Sequence, residues 1–275
     1  MITASIVLYK NTLEECHSIL DCLLASPIEK IYLVDHSGND SLSVLSSYSP
    51  KIEYIQHKNS GYGSGHNVAI KKAIASKSKY HLITNSDILF EKETIPAIVR
   101  YLESNPDIAH VMPKVYYPDG RVQFVCKLLP TPFDMIARGF IPERFIKRSQ
   151  NLFTLSFSNY TVPINAPYLS GCFMFVRTSV LEEVGGFDER YFMHAEDIDL
   201  TRRIHAKYKT VMYPSASIIH NHAATHKHSW NAKKVIMANT IKYFNKWGWF
   251  FDKQRKQLNE QVLQELASQG IYPKK

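Results

Sequence analysis

Four short apolar runs, each closed by a polar or glycine-rich cluster, constrain this chain more than any other feature. Ile2 to Tyr9 leads into Asn11-Thr12, and Ile31 to Val34 into Asp35-His36-Ser37-Gly38-Asn39. Ile52 to Ile55 leads into a glycine-rich stretch, and Tyr80 to Thr84 into Asn85-Ser86-Asp87. Helical spacing fills the gaps, through Leu13, Cys16, Leu20 and Leu23-Leu24 after the first run and from Val68 to Ala75 after the third. Strand, helix, strand at this interval predicts an α/β fold with a mostly parallel central sheet flanked by helices. Ligands of such sheets bind at the carboxyl ends of strands. Asp35, Asn59 and Asp87 fall there, which makes those ends a candidate site.

Further along, the pattern predicts a helix from Glu91 to about Glu103 and a strand from His110 to Tyr116. Residues 127–163 carry prolines at 130, 132, 142 and 163 and read as a long irregular insertion. Compact domains rarely keep such loops without a use for them. A strand from Tyr168 to Val176 follows, then helices near Ser179 to Val184 and after Glu196, and two short strands leading to His220. Residues 1–226 form the predicted main domain. Residues 227–275 form a helical C-terminal extension, broken near Trp247-Gly248.

Charge separates these two parts. The chain of 275 residues carries a formal +8. Residues 227–275 hold ten Lys/Arg against three Asp/Glu, whereas residues 1–226 are nearly neutral, at 23 against 22. A nucleic-acid binder would carry its charge on the folded domain, so that class is excluded. The basic extension also holds all three tryptophans, Trp230, Trp247 and Trp249. A basic aromatic helix suits an anionic membrane surface, or else packs its aromatic face on the domain. Four cysteines without CxxC pairing fit a reducing compartment. MITASIVLYKN lacks a signal-peptide layout, and no apolar run reaches the roughly 20 residues of a membrane span. The expected location is cytoplasmic, peripheral to the inner face of the membrane if the extension binds lipid.

Several motifs carry chemistry. Asn59-Ser60-Gly61-Tyr62-Gly63-Ser64-Gly65-His66-Asn67 lies between a strand and a helix, where glycines let backbone approach a ligand. It is neither GxGxxG nor a Walker loop. Asp87, at a strand end, suits a divalent cation held against a diphosphate. Glu196-Asp197-Ile198-Asp199 opens a helix; its carboxylates suit the helix dipole, and one of them meets the needs of a general base. From His220 to His228 imidazoles are dense, and strand alternation would put His220 and His222 on one face. Ala224-Thr225 interrupt the HxHxDH of zinc hydrolases, which leaves a single histidine ligand as the better reading.

In order and spacing, these pieces resemble a family 2 glycosyltransferase of the GT-A fold, over roughly residues 2 to 225. The carriers are Ser5-Ile6-Val7-Leu8-Tyr9-Lys10, Val34-Asp35-His36-Ser37 and the Asn59 to Asn67 turn. Asn85-Ser86-Asp87 stands at the DxD position. Tyr168 to Met174, Gly186-Phe187-Asp188-Glu189, Glu196 to Leu200 and His220 complete the set. The nearest likeness is to bacterial rhamnosyltransferase-like members that build O-antigen or capsule chains. The resemblance implies that Tyr9 and Asp35 contact the nucleotide base and that Asn59, Gly61, Gly63, Asn67 and Asn85 line the nucleotide pocket. It implies Mg²⁺ or Mn²⁺ on Asp87, with His220 as second ligand, and Asp197 as general base with Glu196 beside it. The implied reaction is inverting transfer of a sugar, rhamnose from dTDP-rhamnose first, to a saccharide acceptor on a polyprenyl carrier, with the 127–163 insertion on the acceptor side. A UDP-sugar is the second donor. Two departures stand out: Asn85 replaces the first Asp of DxD, and Lys10 replaces an Asn.

Two rivals are weighed against this. A sugar-1-phosphate nucleotidyltransferase needs an N-terminal glycine-rich loop with an arginine, and the first twenty residues contain neither glycine nor arginine. A degenerate nucleotide-sugar-binding protein without turnover is favoured by Asn85 and opposed by Glu196-Asp197.

Overall fold

The computed structural model describes residues 1–136, 141, 143–221 and 230–273. Its first half follows the alternation closely. β1 (Ile2–Leu8), β2 (Lys30–Asp35), β3 (Ile52–Gln56) and β4 (Tyr80–Thr84) are parallel neighbours, in the order β3-β2-β1-β4. α1 (Leu13–Leu24) starts from a capping box, in which the Thr12 hydroxyl accepts the Glu15 N–H and the Glu15 carboxylate accepts the Thr12 N–H. Those bonds satisfy N–H groups that a helix start otherwise leaves bare. β1, β2 and β4 are buried along nearly their whole length, as expected of strands covered on both faces.

Beyond β4 the sheet becomes mixed. β10 (Phe173–Arg177) runs antiparallel to both β4 and β6 (Ile108–Tyr116). β11 (Lys209–His220) lies parallel to β6 and antiparallel to the two-residue strands β5 (Ile88–Leu89) and β8 (Ile164–Asn165). β11 replaces the two short strands expected from the sequence. Its register slips between Tyr213 and Ser217, where Pro214 has no N–H to give the ladder and a bulge takes up the mismatch. The single strand expected from Tyr168 to Val176 is divided instead. β9 (Tyr168–Leu169) pairs with β7 (Cys126–Lys127) outside the main sheet, and the chain turns through Ser170-Gly171-Cys172 before β10. α3 (Thr94–Ser104), α6 (Thr178–Val184) and α7 (Glu196–His205) complete the domain with α2 (Tyr62–Ala75).

The segment at 127–163 is more ordered than its prolines suggested. It contains α4 (Pro132–Met135), again from a capping box at Thr131, and α5 (Glu143–Phe153). Leu155 and Tyr160 are wholly buried in the main core. The Tyr160 hydroxyl donates to a backbone carbonyl and receives the Cys126 N–H, so the phenol is buried with its polar atom satisfied.

The C-terminal residues form α8 (Trp230–Trp247) and α9 (Lys253–Ser268), which pack on the domain. Tyr243 and Phe244 are fully buried with Leu129, Tyr191 and Ile198, while Val262 and Leu266 join the sheet's own core. Arg202 of α7 and Asp252, the N-cap of α9, make two buried 2.8 Å hydrogen bonds, and the guanidinium lies 4.0 Å from the Trp247 ring centroid. No helix among the described residues is long and apolar enough to cross a membrane.

Candidate active site

The polar strand ends converge as the alternation implied. Asp35 closes β2 with no exposed surface. Its Oδ1 accepts the Ser37 N–H at 2.7 Å and its Oδ2 the Tyr54 hydroxyl at 2.8 Å. Tyr9 is exposed just past β1, and the Lys10 ammonium lies 5.3 Å from its ring centroid. Lys10 takes a left-handed φ of 58° and donates its N–H to the Ser37 hydroxyl at 2.8 Å. Asn11 donates to the Ser86 hydroxyl at 3.1 Å. The ends of β1, β2 and β4 are thus tied into one rim.

Asp87 and His220 meet at the other end of that rim. Nε2 of His220 lies 3.4 Å from Asp87 Oδ1. The pairing of β11 with β5 sets this approach, because His220 sits opposite Ile88 and the Asn221 N–H donates to the Asp87 carbonyl at 2.9 Å. Nδ1 of His220 faces Gln123 Oε1 at 2.8 Å. A carbonyl accepting from Nδ1–H fixes the tautomer that leaves Nε2 turned toward Asp87, the usual arrangement behind a metal-ligating histidine. Burial opposes charge on this imidazole, but Asp87 and Cys172 outweigh it and push His220 up to about 10, so a cation bound at Nε2 would displace a proton there. Asp87 Oδ1 is buried and accepts no hydrogen bond among the described residues. One carboxylate oxygen and one imidazole nitrogen at this separation fit two adjacent positions on a hard divalent cation. The remaining positions would fall to water and a ligand's phosphates, since no cluster of three protein ligands occurs among the described residues. His222, His226 and His228 lie outside the described residues.

The carboxylate pair begins α7. Asp197 Oδ2 accepts the Gly171 N–H at 3.0 Å, and Oδ1 accepts the Ile198 N–H at 2.8 Å. A Cβ on Gly171 would lie 3.1 Å from the Asp197 Cβ, so a side chain there would press on the carboxylate. Glu196 is only 5% exposed, and its Oε2 has no partner among the described residues. Burial, reinforced by the Asp197 charge, pushes its carboxyl up to about 8. A cavity of about 170 Å³ opens beside the pair, walled by Met135, Tyr168, Ile236 and Thr240 as well. Tyr62 joins the two halves of the site: its hydroxyl donates to the Gly171 carbonyl at 2.8 Å and lies 3.1 Å from Asn85 Oδ1.

The glycine-rich segment differs from its sequence reading. α2 begins at Tyr62, so Gly63, Ser64 and Gly65 form its first turn and no separate loop precedes Val68. Its glycines admit protein: a Cβ on Gly61 would lie 2.3 Å from the Phe192 carbonyl oxygen, and one on Gly63 would lie 2.8 Å from Phe187. Asn59 accepts the Gly61 N–H at 3.3 Å. Asn67, read as a pocket-lining residue, gives its amide to protein instead. It donates to the Phe187 carbonyl and Glu189, both at 2.9 Å, and accepts the Phe187 N–H at 2.8 Å. Tyr62, Gln123 and Gly171 were not singled out for the site. Tyr62 and Gly171 lie inside segments that carry the resemblance, the Asn59 to Asn67 turn and Tyr168 to Met174, whereas Gln123 left no sequence signal.

The mixed sheet, in the order β3-β2-β1-β4-β10-β6-β11 with helices packed against it, is of the GT-A type. The family model described as "Glycosyltransferase like family 2" matches residues 3–235, and the chain belongs to that family. N-acetylglucosaminyl-diphospho-decaprenol L-rhamnosyltransferase of Mycobacterium tuberculosis is 31% identical over 146 residues, covering 52% of this chain and 47% of the relative. The chain therefore spans about half of that protein. Rhamnosyltransferase WbbL of Escherichia coli K12 is 26% identical over 187 residues, 64% of this chain and 66% of the relative. Among solved structures, Staphylococcus aureus TarS (residues 1–349) shares the fold at TM-score 0.58 and 18% identity, covering 97% of this chain and 72% of that one. The mannosyltransferase PcManGT of Pyrobaculum calidifontis, solved with GDP-Man and Mn²⁺, does so at TM-score 0.58 and 15% identity, over 97% and 75%.

Proposed function

We propose that this chain is an inverting glycosyltransferase that moves rhamnose from dTDP-rhamnose to a saccharide on a polyprenyl diphosphate carrier. The observation that carries the reading is the pairing, through Tyr62 and Gly171, of a cation-type site with a carboxylate pair beside a cavity. Asp197 takes the acceptor hydroxyl's proton while that oxygen attacks the anomeric carbon opposite the leaving diphosphate, which inverts the centre. Asp87 and His220 would hold Mg²⁺ or Mn²⁺, which when bound neutralises charge on the departing diphosphate. The rim of Tyr9, Asp35 and Ser37 faces the base, and the cavity walled by Tyr168 and α8 receives the acceptor. Rhamnose as the sugar is supported by the names of the relatives, and the lipid carrier by the decaprenol of the mycobacterial one.

The test is release of nucleoside diphosphate from dTDP-, UDP- and GDP-sugars with Mg²⁺ or Mn²⁺. Turnover of dTDP-rhamnose is expected, with EDTA and Asp87→Ala abolishing it and Asp197→Asn lowering it at least about 10²-fold. Preference for a UDP-sugar would replace the donor and keep the class. The second reading, a nucleotide-sugar-binding protein, is favoured by Asn85 at the DxD position. It predicts a thermal shift with nucleotide and no release from any donor.

A further inference from the structure

The base, Asp197, lies one residue beyond two residues in an unfavourable conformation. His194 and Ala195, neither of them glycine, take left-handed φ values of 65° and 79°, and Ala195 is the N-cap of α7. Such a conformation is disfavoured for any residue with a Cβ and persists only where its surroundings impose it. The imposing contacts come from one face of α8. Asn239, almost wholly buried, donates to the Met193 carbonyl at 2.7 Å. Lys242 donates to the Arg190 carbonyl at 2.6 Å, and Lys246 pairs with Asp188 at 2.8 Å and with Asp199 at 2.6 Å. The spacings of three and four residues put these side chains on a single helical face, laid along residues 188–193.

Asp199 ties that face to α7 itself. It has no exposed surface, and Arg203, Lys246 and the Trp247 indole N–H all donate to it, at 2.8, 2.6 and 2.8 Å. On the opposite side of the loop, the Tyr62 N–H donates to the Phe192 carbonyl at 2.9 Å. The segment before the base is therefore gripped between α2 and α8.

We propose that α8 is the positioning element of the base, with Lys246 and Asn239 as positioning residues that hold 188–195 in the conformation aiming Asp197 at the acceptor. The inference rests on the transfer reading with Asp197 as base. A displacement of about 1 Å in a reacting group can cost on the order of 10²-fold in rate, so loosening the grip acts on turnover before donor binding. The experiment compares Lys246→Met, Lys246→Arg and Asn239→Ala with the wild type. The readouts are donor turnover, donor KM, the thermal shift with dTDP or UDP, and amide exchange over 190–198. Lys246→Met and Asn239→Ala are expected to lose about tenfold or more in kcat, with donor KM within about twofold and the nucleotide shift retained. Both should exchange faster over 190–198, and Lys246→Arg should recover most of the loss. Wild-type kcat in both variants, or a donor KM rising in step with the fall in kcat, would overturn the proposal. A wild type that neither binds nucleotide nor turns over would sink the transfer reading instead. In that case unchanged amide exchange in the variants overturns the grip, and faster exchange supports it.

Discussion

Glu196 is a carboxyl whose charged form is disfavoured twice, by burial and by the neighbouring Asp197. With a folded value of about 8 against 4.5 ordinarily, the native chain keeps a proton through a range where the unfolded chain has lost it. Stability therefore falls as pH rises between those values. Glu196→Gln removes the titration, so it should be more stable than the wild type at pH 8, with the gap narrowing toward pH 5. Urea denaturation at the two pH values measures this, and a gap independent of pH would contradict the assignment. Asp35 and Asp87 were legible in the sequence because each sits where a strand run ends, which brings both to one rim, and Glu196-Asp197 because the pair opens a helix. Asn67 was not. Its partners lie about 120 residues away, and nothing in its neighbourhood distinguishes an amide that holds a loop from one that lines a pocket.

Among elements, α8 and α9 were legible as helices but not as parts of the core. Their lysines and aromatic residues suit a membrane surface or a packed face equally, and the choice depends on side chains of α7 and the 185–195 loop. The structure turns Tyr243 and Phe244 inward and places Asp252 on Arg202. This buried pair holds α9 to α7. Removing one partner strands the other charge and costs about 3–5 kcal/mol. Asp252→Ala should approach the upper end, because it also deletes the cap that accepts the Arg255 N–H at 2.9 Å. Denaturant midpoints of Asp252→Ala and Arg202→Ala check this. A loss below about 1 kcal/mol in both would mean that the pair holds nothing. The insertion at 127–163 was misread as irregular for a related reason: Pro132 opens α4 rather than interrupting it, and only the core reveals that Tyr160 is buried.

For the whole molecule, the packing of α8 and α9 changes how membrane contact is tested. Deleting 227–275 would strip Val262 and Leu266 from the sheet's core and report on folding. Phe250 and Phe251 are a better probe. They lie between the two helices at 78% and 98% exposure, next to Lys253 and Lys256. Phe250→Ser with Phe251→Ser should release the protein from vesicles containing anionic phospholipid while leaving its melting temperature unchanged. Undiminished sedimentation with the vesicles would remove this tip from the contact.

The cavity beside Glu196 has a consequence for how such a protein diversifies. Its walls come from Met135, Tyr168, Ile236 and Thr240, whereas the rim at Tyr9, Asp35 and Asp87 belongs to the first ninety residues. The two inherit their shapes from separate stretches of gene. On the transfer proposed above, substitution in the cavity's stretch retunes the acceptor while leaving the base-facing rim untouched, so a lineage built on this plan can change the sentence it writes without changing its alphabet.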